Sequence, residues 1–597
     1  MPEIPDKPHA EYLRRLEQRR RVAEELERRH VAFGNARLAV AVAGALTAWA
    51  VFGRHVLSPR WLLLPIAVFA VLAFVHGRVL RARRRVERTA AFYGNGLARL
   101  EDRWHGQGEG GERFDDPTHP YADDLDLFGK GSLFQLLSTA RLRTGEETLA
   151  HWLLQPAPAG ELPLRQQAIK ELTPRLDLRE ELALLGEDLR SGINPGALSK
   201  WAEQPLVFDS RALRGGVLLL AGAAVVSLVV WAAFGVPEFF LAAAAAETFF
   251  TFKLRSRISK MVAEVGEPAY GLALFAEVLG RIEREKFSSF RLTALLKDLE
   301  VEGVPPSRRI ARLNRLMELL DSSEHLLMRA IGPLILYVPQ VVFAIEAWRK
   351  VSGPHVRKWL AAVGEIEALC AFANYSFEHP ADVFPEFVSE TPCFEGEALA
   401  HPLLSEKRAV RNDVRLCGGL QAMVVSGSNM SGKSTLLRTV GINAVLALAG
   451  APVRASRLRL SPLSVGASIH TLDSLQGGSS RFYTEITRLR QLVDISRGPV
   501  PLLFLLDELL QGTNSHDREI GAQAVVRGLI DRGAIGFVTT HDLALAAIAD
   551  ALAPRAENVH FEDHLEHGKI TFDYRLRPGV VQKSNALELM RSIGLEV

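Results

Sequence analysis

Cysteine is scarce in this chain, and none of it stands at a metal-binding spacing. The 597 residues include three cysteines, Cys370, Cys393 and Cys417, and no two of them form a C-x-x-C pair. This spacing excludes a zinc ribbon or zinc finger and does not indicate a disulfide framework. The cysteine content therefore indicates neither a zinc site nor a disulfide framework, which fits a reducing compartment.

An excess of one charge is also lacking. Lys and Arg number 71 against 69 Asp and Glu, which leaves a net charge of +2. The chain as a whole therefore has no electric field that would favour nucleic acid. Its length exceeds what one hydrophobic core normally supports, so several domains are expected. Hydrophobic residues make up 48% of the chain, and the excess is concentrated in a few runs.

A cleavable signal peptide is missing, because the charged stretch 11–30 is too long and no A-x-A site follows it. Two apolar runs come next, 38–53 and 61–76, each near the short end of the roughly 17–25 residues that span a bilayer. Six arginines follow at once: Arg78, Arg81, Arg83, Arg84, Arg85 and Arg88. Basic flanks predict a membrane hairpin with both ends in the cytoplasm. The alternative is a buried helical hairpin inside a soluble domain.

A second apolar pair occupies 215–237 and 239–252. The second member is short and contains Glu247, which is costly in lipid unless it faces protein. Basic residues again stand on both sides: Arg211, Arg214, Lys253, Arg255, Arg257 and Lys260. Together the two pairs predict a multi-pass protein of a bacterial-type inner (cell) membrane. The lipid bilayer is then a partner, and the C-terminal region lies in the cytoplasm.

The most specific motif is a complete phosphate-binding loop after the apolar run 422–425. It matches G-x-x-x-x-G-K-[ST] and opens into a helix. The loop residues are Gly427, Ser428, Asn429, Met430, Ser431, Gly432, Lys433, Ser434 and Thr435. The glycines let successive backbone N–H groups point at phosphate oxygens. Lys433 brings a cation to the terminal phosphates of ATP, and Ser434 offers a hydroxyl to Mg²⁺.

Two further strands carry polar residues at their ends. The buried strand 502–506 precedes Asp507 and Glu508, and the strand 536–540 precedes His541. In phosphoryl-transfer sites of this type the first carboxylate holds Mg²⁺ and the second activates water. We therefore expect Asp507 to bind Mg²⁺, Glu508 to act as the catalytic base and His541 to contact the γ-phosphate. The implied sheet is mostly parallel, with helical crossovers.

These motifs together resemble the MutS mismatch-repair ATPase family. The loop 427–435 is similar to that family's G-P-N-M-G-G-K-S-T, and Ser480-Arg481-Phe482 with Glu485 is similar to its S-T-F-x-x-E. Upstream, His401-Pro402 and Asn412-Asp413 resemble its H-P and N-D elements. The resemblance implies a Mg-ATP-driven homodimer that joins through its ATPase domains. It also implies that Asn429 faces the γ-phosphate and that Ser480 reaches the nucleotide held by the partner.

The resemblance also has limits. Nothing before residue 126 looks like the family's mismatch-recognition domain, and an apolar hairpin stands there instead. The predicted fold is a multidomain α and α/β protein. Its helical MutS-like core and lever carry inserted transmembrane hairpins, and a P-loop (ABC-type) ATPase domain follows. The predicted divisions are an N-terminal helix (1–36), a first hairpin (37–77), a connecting helix and linker (78–125), a first core segment (126–212), a second hairpin (213–253), the helical lever with a second core segment (254–395) and the ATPase domain (396–597).

The sequence therefore predicts a membrane-anchored ATPase whose ATP state opens and closes a dimeric clamp, with double-stranded DNA as a candidate partner. Two alternatives stay open. One is an ABC-type transporter subunit, suggested by Leu475-Gln476-Gly477-Gly478 and the apolar runs. Against it, the distance from Lys433 to Leu475 leaves no room for the usual helical subdomain. The other is a membrane-tethered, ATP-gated scaffold that binds no DNA.

Overall fold

The computed structural model describes residues 7–190, 194–208, 210–389, 391–428, 430–469, 481–511, 513–566 and 569–581. Two compact units make up the chain. Unit 1 comprises Met1–Gly110 with Phe377–Pro380, and unit 2 comprises Gly111–Ser376 with Ala381–Val597.

Helices dominate the first two thirds of the chain. They are α1 (Lys7–Ala48), α2 (Leu63–Leu100), α3 (Leu133–Leu137), α4 (Arg143–Leu154), α5 (Leu162–Leu172), α6 (Leu176–Arg190), α7 (Pro195–Glu203), α8 (Arg211–Phe234), α9 (Glu238–Glu283), α10 (Phe290–Leu299), α11 (Pro306–Ser322), α12 (Leu326–Ile331), α13 (Tyr337–Glu378), α14 (Lys433–Ala449), α15 (Arg481–Ile495), α16 (Ser515–Asp531) and α17 (Leu543–Ala551). Short helical turns are a π turn at Trp49–Gly53 and 3-10 turns at Pro59–Leu62, Glu112–Phe114 and Gly332–Ile335.

Among the residues that the structure describes, the strands lie in the C-terminal part. They are β1 (Glu386–Phe387), β2 (Phe394–Leu399), β3 (Asn412–Leu416), β4 (Ala422–Ser426), β5 (Arg457–Leu460), β6 (Ser464–Ser468), β7 (Leu502–Leu506), β8 (Ile535–Thr540), β9 (Ala556–Glu566) and β10 (Lys569–Pro578).

Unit 1 is an antiparallel pair of long helices. Tyr12 at the start of α1 lies against Gly96 near the end of α2, while Gly44 lies against Pro65 at the opposite end. The end far from the connecting turn is packed, since Tyr12 and Tyr93 are almost fully buried. The apolar runs nearer the turn expose large side chains, among them Leu38, Leu46, Trp49, Phe52, Trp61, Leu63, Ile66, Val71 and Phe74. The hairpin therefore carries an apolar surface that its own two helices do not cover.

Three helical segments are long and apolar enough to cross a bilayer among the residues that the structure describes: Lys7–Gly53, Pro59–Leu100 and Ala212–Phe234. The fourth apolar run, 239–252, is the first third of α9 and is not among them. Glu247 in this run is buried within the protein. The helices α1, α2 and α9 continue through the predicted divisions at 36, 77 and 253. Those divisions therefore mark changes of composition and not ends of helices.

The helical part of unit 2 is organised along α13. The Trp152 ring of α4 stacks on Phe372, with ring centroids 6.0 Å apart. The buried Glu367 carboxylate accepts hydrogen bonds from the backbone N–H groups of Arg141 and Leu142, just ahead of α4. These contacts hold the first predicted core segment against the second.

The larger sheet has six strands in the order β10-β9-β4-β8-β7-β6. Every neighbouring pair from β9 to β6 is parallel, and only β10 is antiparallel. Strands β4, β7 and β8 are buried along their whole length, as a parallel sheet covered on both faces requires. A smaller sheet has the order β1-β5-β2-β3.

Residues 111–127 are not a linker in this structure. Tyr121, Leu125 and Leu127 are buried, and Leu125 meets α14 at Gly441, which contacts Leu505 of β7 as well. The Pro120 carbonyl also accepts a hydrogen bond from the backbone N–H of Ala467 at the end of β6. This segment therefore belongs to the core around the larger sheet.

The sequence indicated no disulfide framework, but the structure pairs Cys393 with Cys417 at a Cα–Cα distance of 4.6 Å. Cys393 precedes β2 and Cys417 follows β3, and these two strands are antiparallel neighbours. Their separation of 24 residues along the chain gave no sign of this proximity. Cys370 is a buried free thiol.

Candidate functional site

The phosphate-binding loop joins β4 to α14 and depends on two glycines. Gly432 adopts φ 103°, and a Cβ atom there would lie 2.9 Å from the Tyr574 ring. At Gly427 a Cβ atom would lie 2.8 Å from the Ser431 hydroxyl oxygen. A side chain at either position would therefore displace the loop or its wall. Met430 is 86% exposed, whereas Asn429 lies outside the described residues.

Lys433 is the first residue of α14 and is buried. Its Nζ donates to the carbonyl oxygens of Gly427 and Ser428, at 2.8 and 2.9 Å. It also lies 3.7 Å from the Glu508 carboxylate. Burial lowers the pKa of Lys433, and the charges of Glu508 and Asp507 oppose that effect. The ammonium group is thus held against the loop, within reach of any anion bound there.

Asp507 directly follows β7 and faces the start of α14. Its Oδ2 accepts a hydrogen bond from the Ser434 hydroxyl at 2.6 Å, and its Oδ1 accepts one from the Thr539 hydroxyl. A carboxylate beside a hydroxyl is the partial oxygen shell that Mg²⁺ completes with phosphate oxygens and water. Within the described residues, no cluster of three or more His, Cys, Asp or Glu could hold a metal by protein ligands alone. The donor set therefore fits Mg²⁺ bound together with a phosphate.

Glu508 is held by the neighbouring strand β8. It has φ 48°, and its backbone N–H donates to the Thr539 hydroxyl at 3.1 Å. Its carboxylate lies 3.1 Å from Nδ1 of His541 and accepts a hydrogen bond from the Gln511 amide. The side chain stays partly exposed. A constrained backbone and two polar neighbours present this carboxylate to the cavity, as a base for water must be presented.

A cavity of about 750 Å³ opens beside the loop. Its wall includes Lys433, Ser434, Asp507 and Glu508, and it is completed by residues outside the loop: Leu399, His401, Leu404, Val410, Asn412, Phe561 and Tyr574. Burial lowers the pKa of His401 to about 4, so its imidazole is neutral near pH 7. Its Nδ1 accepts a hydrogen bond from the backbone N–H of Leu403. The size and mixed lining suit a nucleotide-sized ligand.

The region around Ser480 is described only at its C-terminal side. Residues 470–480, with Ser480, and also Gly512 lie outside the described residues. After them, α15 begins at Arg481 and carries the buried Glu485. The Glu485 carboxylate accepts a hydrogen bond from the backbone N–H of Leu510, a residue with φ 57°. Glu485 therefore connects α15 to the turn that carries Glu508.

Most predicted site residues come together in the structure. Lys433, Ser434, Asp507 and Glu508 line one cavity, and His541 contacts Glu508. Sequence reasoning gave no role to a further set that the structure brings to the site or its support: Thr539, Gln511, Phe561, Tyr574 and Asp124. The position of Thr539, two residues before His541 at the end of a buried strand, was a usable signal. Gln511 contacts Glu508 only three residues away, whereas the contacts of Phe561, Tyr574 and Asp124 depend on distant parts of the chain.

The comparisons agree with this geometry. The family model described as MutS domain V matches residues 423–596. The chain is 32% identical over 251 residues to "DNA mismatch repair protein MutS" of Natronomonas pharaonis, which is 40% of this chain and 28% of that protein. It is 30% identical over 281 residues to the protein of the same name in Geobacillus kaustophilus, 46% of this chain and 31% of that protein. It is 33% identical over 201 residues to "Endonuclease MutS2" of Thermomicrobium roseum, 33% of this chain and 25% of that protein.

Each alignment therefore spans less than a third of the relative's length. The matched residues contain the phosphate-binding loop, Asp507, Glu508 and His541. Family model, relatives and loop geometry all concern the same C-terminal domain. Residues 423–596 therefore form a domain that matches MutS domain V, and in this C-terminal part the chain is similar to the MutS family.

Proposed function

We propose that this protein is a Mg²⁺-dependent ATPase that converts ATP and water to ADP and phosphate. The observation that carries the proposal is the meeting of Lys433, Ser434, Asp507 and Glu508 at one cavity beside the loop. Ser434 and Asp507 would hold Mg²⁺, which supplies charge neutralisation at the phosphates. The backbone N–H groups of the loop and Lys433 bind the triphosphate.

Glu508 is the general base of the proposed reaction. Its carboxylate accepts a proton from water as the water oxygen bonds to the γ-phosphorus and the bond to the β,γ-bridging oxygen breaks. His541 and Gln511 keep this carboxylate oriented through the contacts described above. Thr539 supports both acidic residues, because its hydroxyl contacts the Asp507 side chain and the Glu508 backbone.

Two copies of the domain complete the proposed site. Ser480 and its turn reach the nucleotide on the partner's loop, and Asn429 faces the γ-phosphate, as the family resemblance implies. ATP closes this homodimer and hydrolysis reopens it. Met430, the next residue after Asn429 in the sequence, is 86% exposed, so a second domain can reach the loop there.

Anchoring in the membrane is supported by the uncovered apolar surfaces of α1, α2 and α8. The basic flanks of both apolar pairs favour the cytoplasm. If α8 crosses the bilayer from the cytoplasmic side, its C-terminal end lies on the other side. Lys253 and Arg255 can then lie in the cytoplasm only if the first third of α9, which precedes them, crosses back. We therefore propose four spans in the bacterial-type inner membrane, with the ATPase domain in the cytoplasm. Full solubility after high-speed sedimentation of a detergent-free extract contradicts this arrangement.

Double-stranded DNA is the proposed ligand of the clamp. The support is the names of the relatives, two of which are DNA mismatch repair proteins. On this chain, Arg308, Arg312 and Arg315 lie exposed along one face of α11, at a spacing that aligns them with a phosphate backbone. The transporter and scaffold alternatives predict no such binding. Affinity for duplex DNA that falls steeply with salt supports the clamp, and no affinity at low salt removes it.

Glu508→Gln tests the ATPase. We expect ATP to bind and the dimer to remain closed, because glutamine cannot accept the proton from water. Turnover should fall by roughly 100-fold or more, which is the scale of general-base catalysis. The matched control is Glu519→Gln on the exposed face of α16, which should retain wild-type turnover. Wild-type turnover in Glu508→Gln would refute the assigned base, and failure of the wild-type protein to bind Mg-nucleotide would refute the ATPase.

A further inference from the structure

The short helix α12 and the 3-10 turn Gly332–Ile335 form an apolar segment that neither hairpin includes. We call residues 326–336 the α12 segment; their sequence is LLMRAIGPLIL, with Arg329 as its single charged residue. Leu327 is 66% exposed and Ile331 is 43% exposed. These two residues are four apart and share one helix face. Single exposed apolar side chains are common, so the surroundings of these two decide whether they belong to a contact surface.

The segment packs on a helix that is itself a proposed membrane span. Its 3-10 turn contacts α8, and more weakly α9. On α8 the side chains of Val217, Ala221 and Ala224 are buried at a spacing of one helical face. Other faces of α8 are open, and Leu219 is 77% exposed. The α12 segment therefore lies against a helix that itself exposes apolar side chains on its other faces.

The level of the segment along α8 follows from the contacts of α13. Glu346 accepts hydrogen bonds from the backbone N–H groups of Val207 and Phe208, and the Phe343 ring meets the Phe208 ring with centroids 5.1 Å apart. Phe343 thus lies beside the chain just before α8 begins. From there α13 extends back to its start at Tyr337, a rise of about 9 Å for six residues. The 3-10 turn ahead of Tyr337 therefore lies beside the first turns of α8 and not beside its far end.

We infer that the α12 segment is a monotopic membrane element, embedded in the cytoplasmic leaflet beside α8. This inference rests on the proposed membrane anchoring. A hydrocarbon core of about 30 Å places the first turns of α8 at the depth of headgroups and upper acyl chains. Leu327 and Ile331 then contact acyl chains, and Arg329 extends to the phosphates of that leaflet. The exposed basic residues Lys253, Arg255 and Arg257 provide phosphate contacts at the same end of the hairpin.

Site-specific fluorescence in lipid bilayers tests the inference. Leu327→Cys and Ile331→Cys are labelled with an environment-sensitive fluorophore in the full-length protein, which is then reconstituted with phosphatidylcholine and phosphatidylglycerol. Some lipids carry a nitroxide quencher near the headgroup. Leu219→Cys on α8 reports a span, and Leu319→Cys, 45% exposed on α11, reports solvent. Unsubstituted protein gives the background, since Cys370 is buried and the other two cysteines are paired.

We expect labels at 327 and 331 to be quenched by the nitroxide lipid at least twofold more strongly than the label at 319. If 327 and 331 behave like 319 while 219 is quenched, the inference is wrong and the proposed anchoring stands. If 219 also escapes quenching, the anchoring fails and the inference fails with it. Efficient disulfide cross-linking between two copies through Leu327→Cys, without lipid quenching, would assign the face to a protein partner and overturn the inference.

Discussion

The carboxylate of Asp124 accepts a hydrogen bond from the backbone N–H of Ile469 at 2.6 Å. Asp124 lies in the segment 111–127, and Ile469 follows β6, directly before the residues that lead to Ser480. The other end of that stretch is held as well, since Arg488 of α15 donates to the carbonyl oxygens of Pro117 and His119. The segment 111–127 thus contacts the described residues on both sides of the stretch 470–480, which contains Ser480.

We predict that Asp124→Ala lowers kcat for ATP by roughly tenfold with little change in KM. The reason is that the partly buried N–H of Ile469 loses its acceptor, at a cost of about 1–3 kcal/mol, while the cavity beside Lys433 is untouched. Asp124→Asn keeps an acceptor oxygen and should recover much of the rate. The exposed neighbour Asp123→Ala is the control. An unchanged kcat in Asp124→Ala, measured by phosphate release, would show that the contact between Asp124 and Ile469 does not contribute to turnover.

Thr539→Val should lower kcat about tenfold and raise the Mg²⁺ concentration needed for half-maximal activity. Valine keeps the shape of threonine, but the Asp507 side chain and the Glu508 backbone N–H lose the hydroxyl between them. Thr540→Val is the matched control, because that hydroxyl instead accepts from the backbone N–H of Asp542 at 2.9 Å. Equal losses in both variants would indicate a general disturbance of β8.

Asn412→Asp should weaken ATP binding about fivefold, with kcat nearly constant. The Asn412 amide donates to the carbonyl of Tyr574 and accepts from the N–H of Leu576, which holds the irregular part of β10 over the cavity. Aspartate keeps the acceptor but loses the donor, which costs roughly 1 kcal/mol. The control is Asn558→Asp in β9, because the side-chain amide of Asn558 donates to the carbonyl of Ala546 in α17 and does not line the cavity. Nucleotide titration calorimetry gives the affinities, and identical values for Asn412→Asp and wild type would refute the role.

Glu367→Gln should make the folding stability less dependent on pH. Burial raises the pKa of Glu367 from 4.5 to about 8, against the lowering effect of the N–H groups of Arg141 and Leu142. Between those pH values the folded state keeps a proton that the unfolded chain releases. Wild-type stability from this group is therefore full below pH 4.5 and falls as the pH rises through about 8.

Glutamine imitates the protonated form at every pH. The Tm of Glu367→Gln, measured by scanning calorimetry, should exceed that of wild type by an amount that grows from pH 4.5 to about pH 8 and then levels off. The control is Glu300→Gln, whose residue is exposed at the end of α10. A constant Tm difference over that range would show that Glu367 does not titrate there.

Features that depend on neighbouring residues were predictable from the sequence. A phosphate-binding loop needs two glycines, a lysine and a hydroxyl within nine residues, and the structure places Gly427, Gly432, Lys433 and Ser434 as that pattern indicates. Strands buried on both faces are continuous apolar runs, which is why β4, β7 and β8 were recognisable. Apolar helices of spanning length were recognisable by composition alone.

Contacts between distant residues were decided only by the tertiary structure. Cys393 and Cys417 became partners because β2 and β3 lie side by side, and the segment around Asp124 became part of the core around the larger sheet instead of a linker. The α12 segment is too short to be recognised as a membrane span from its sequence. Only its contact with α8 in the structure suggests that it lies at the membrane surface. The sequence by itself determined which residues can bind phosphate and which helices prefer an apolar medium, since those properties belong to side chains and to local backbone geometry. The tertiary structure alone decided which backbone N–H groups the Asp124 and Glu367 carboxylates accept from, because those groups are far away in the sequence and are brought close only by packing.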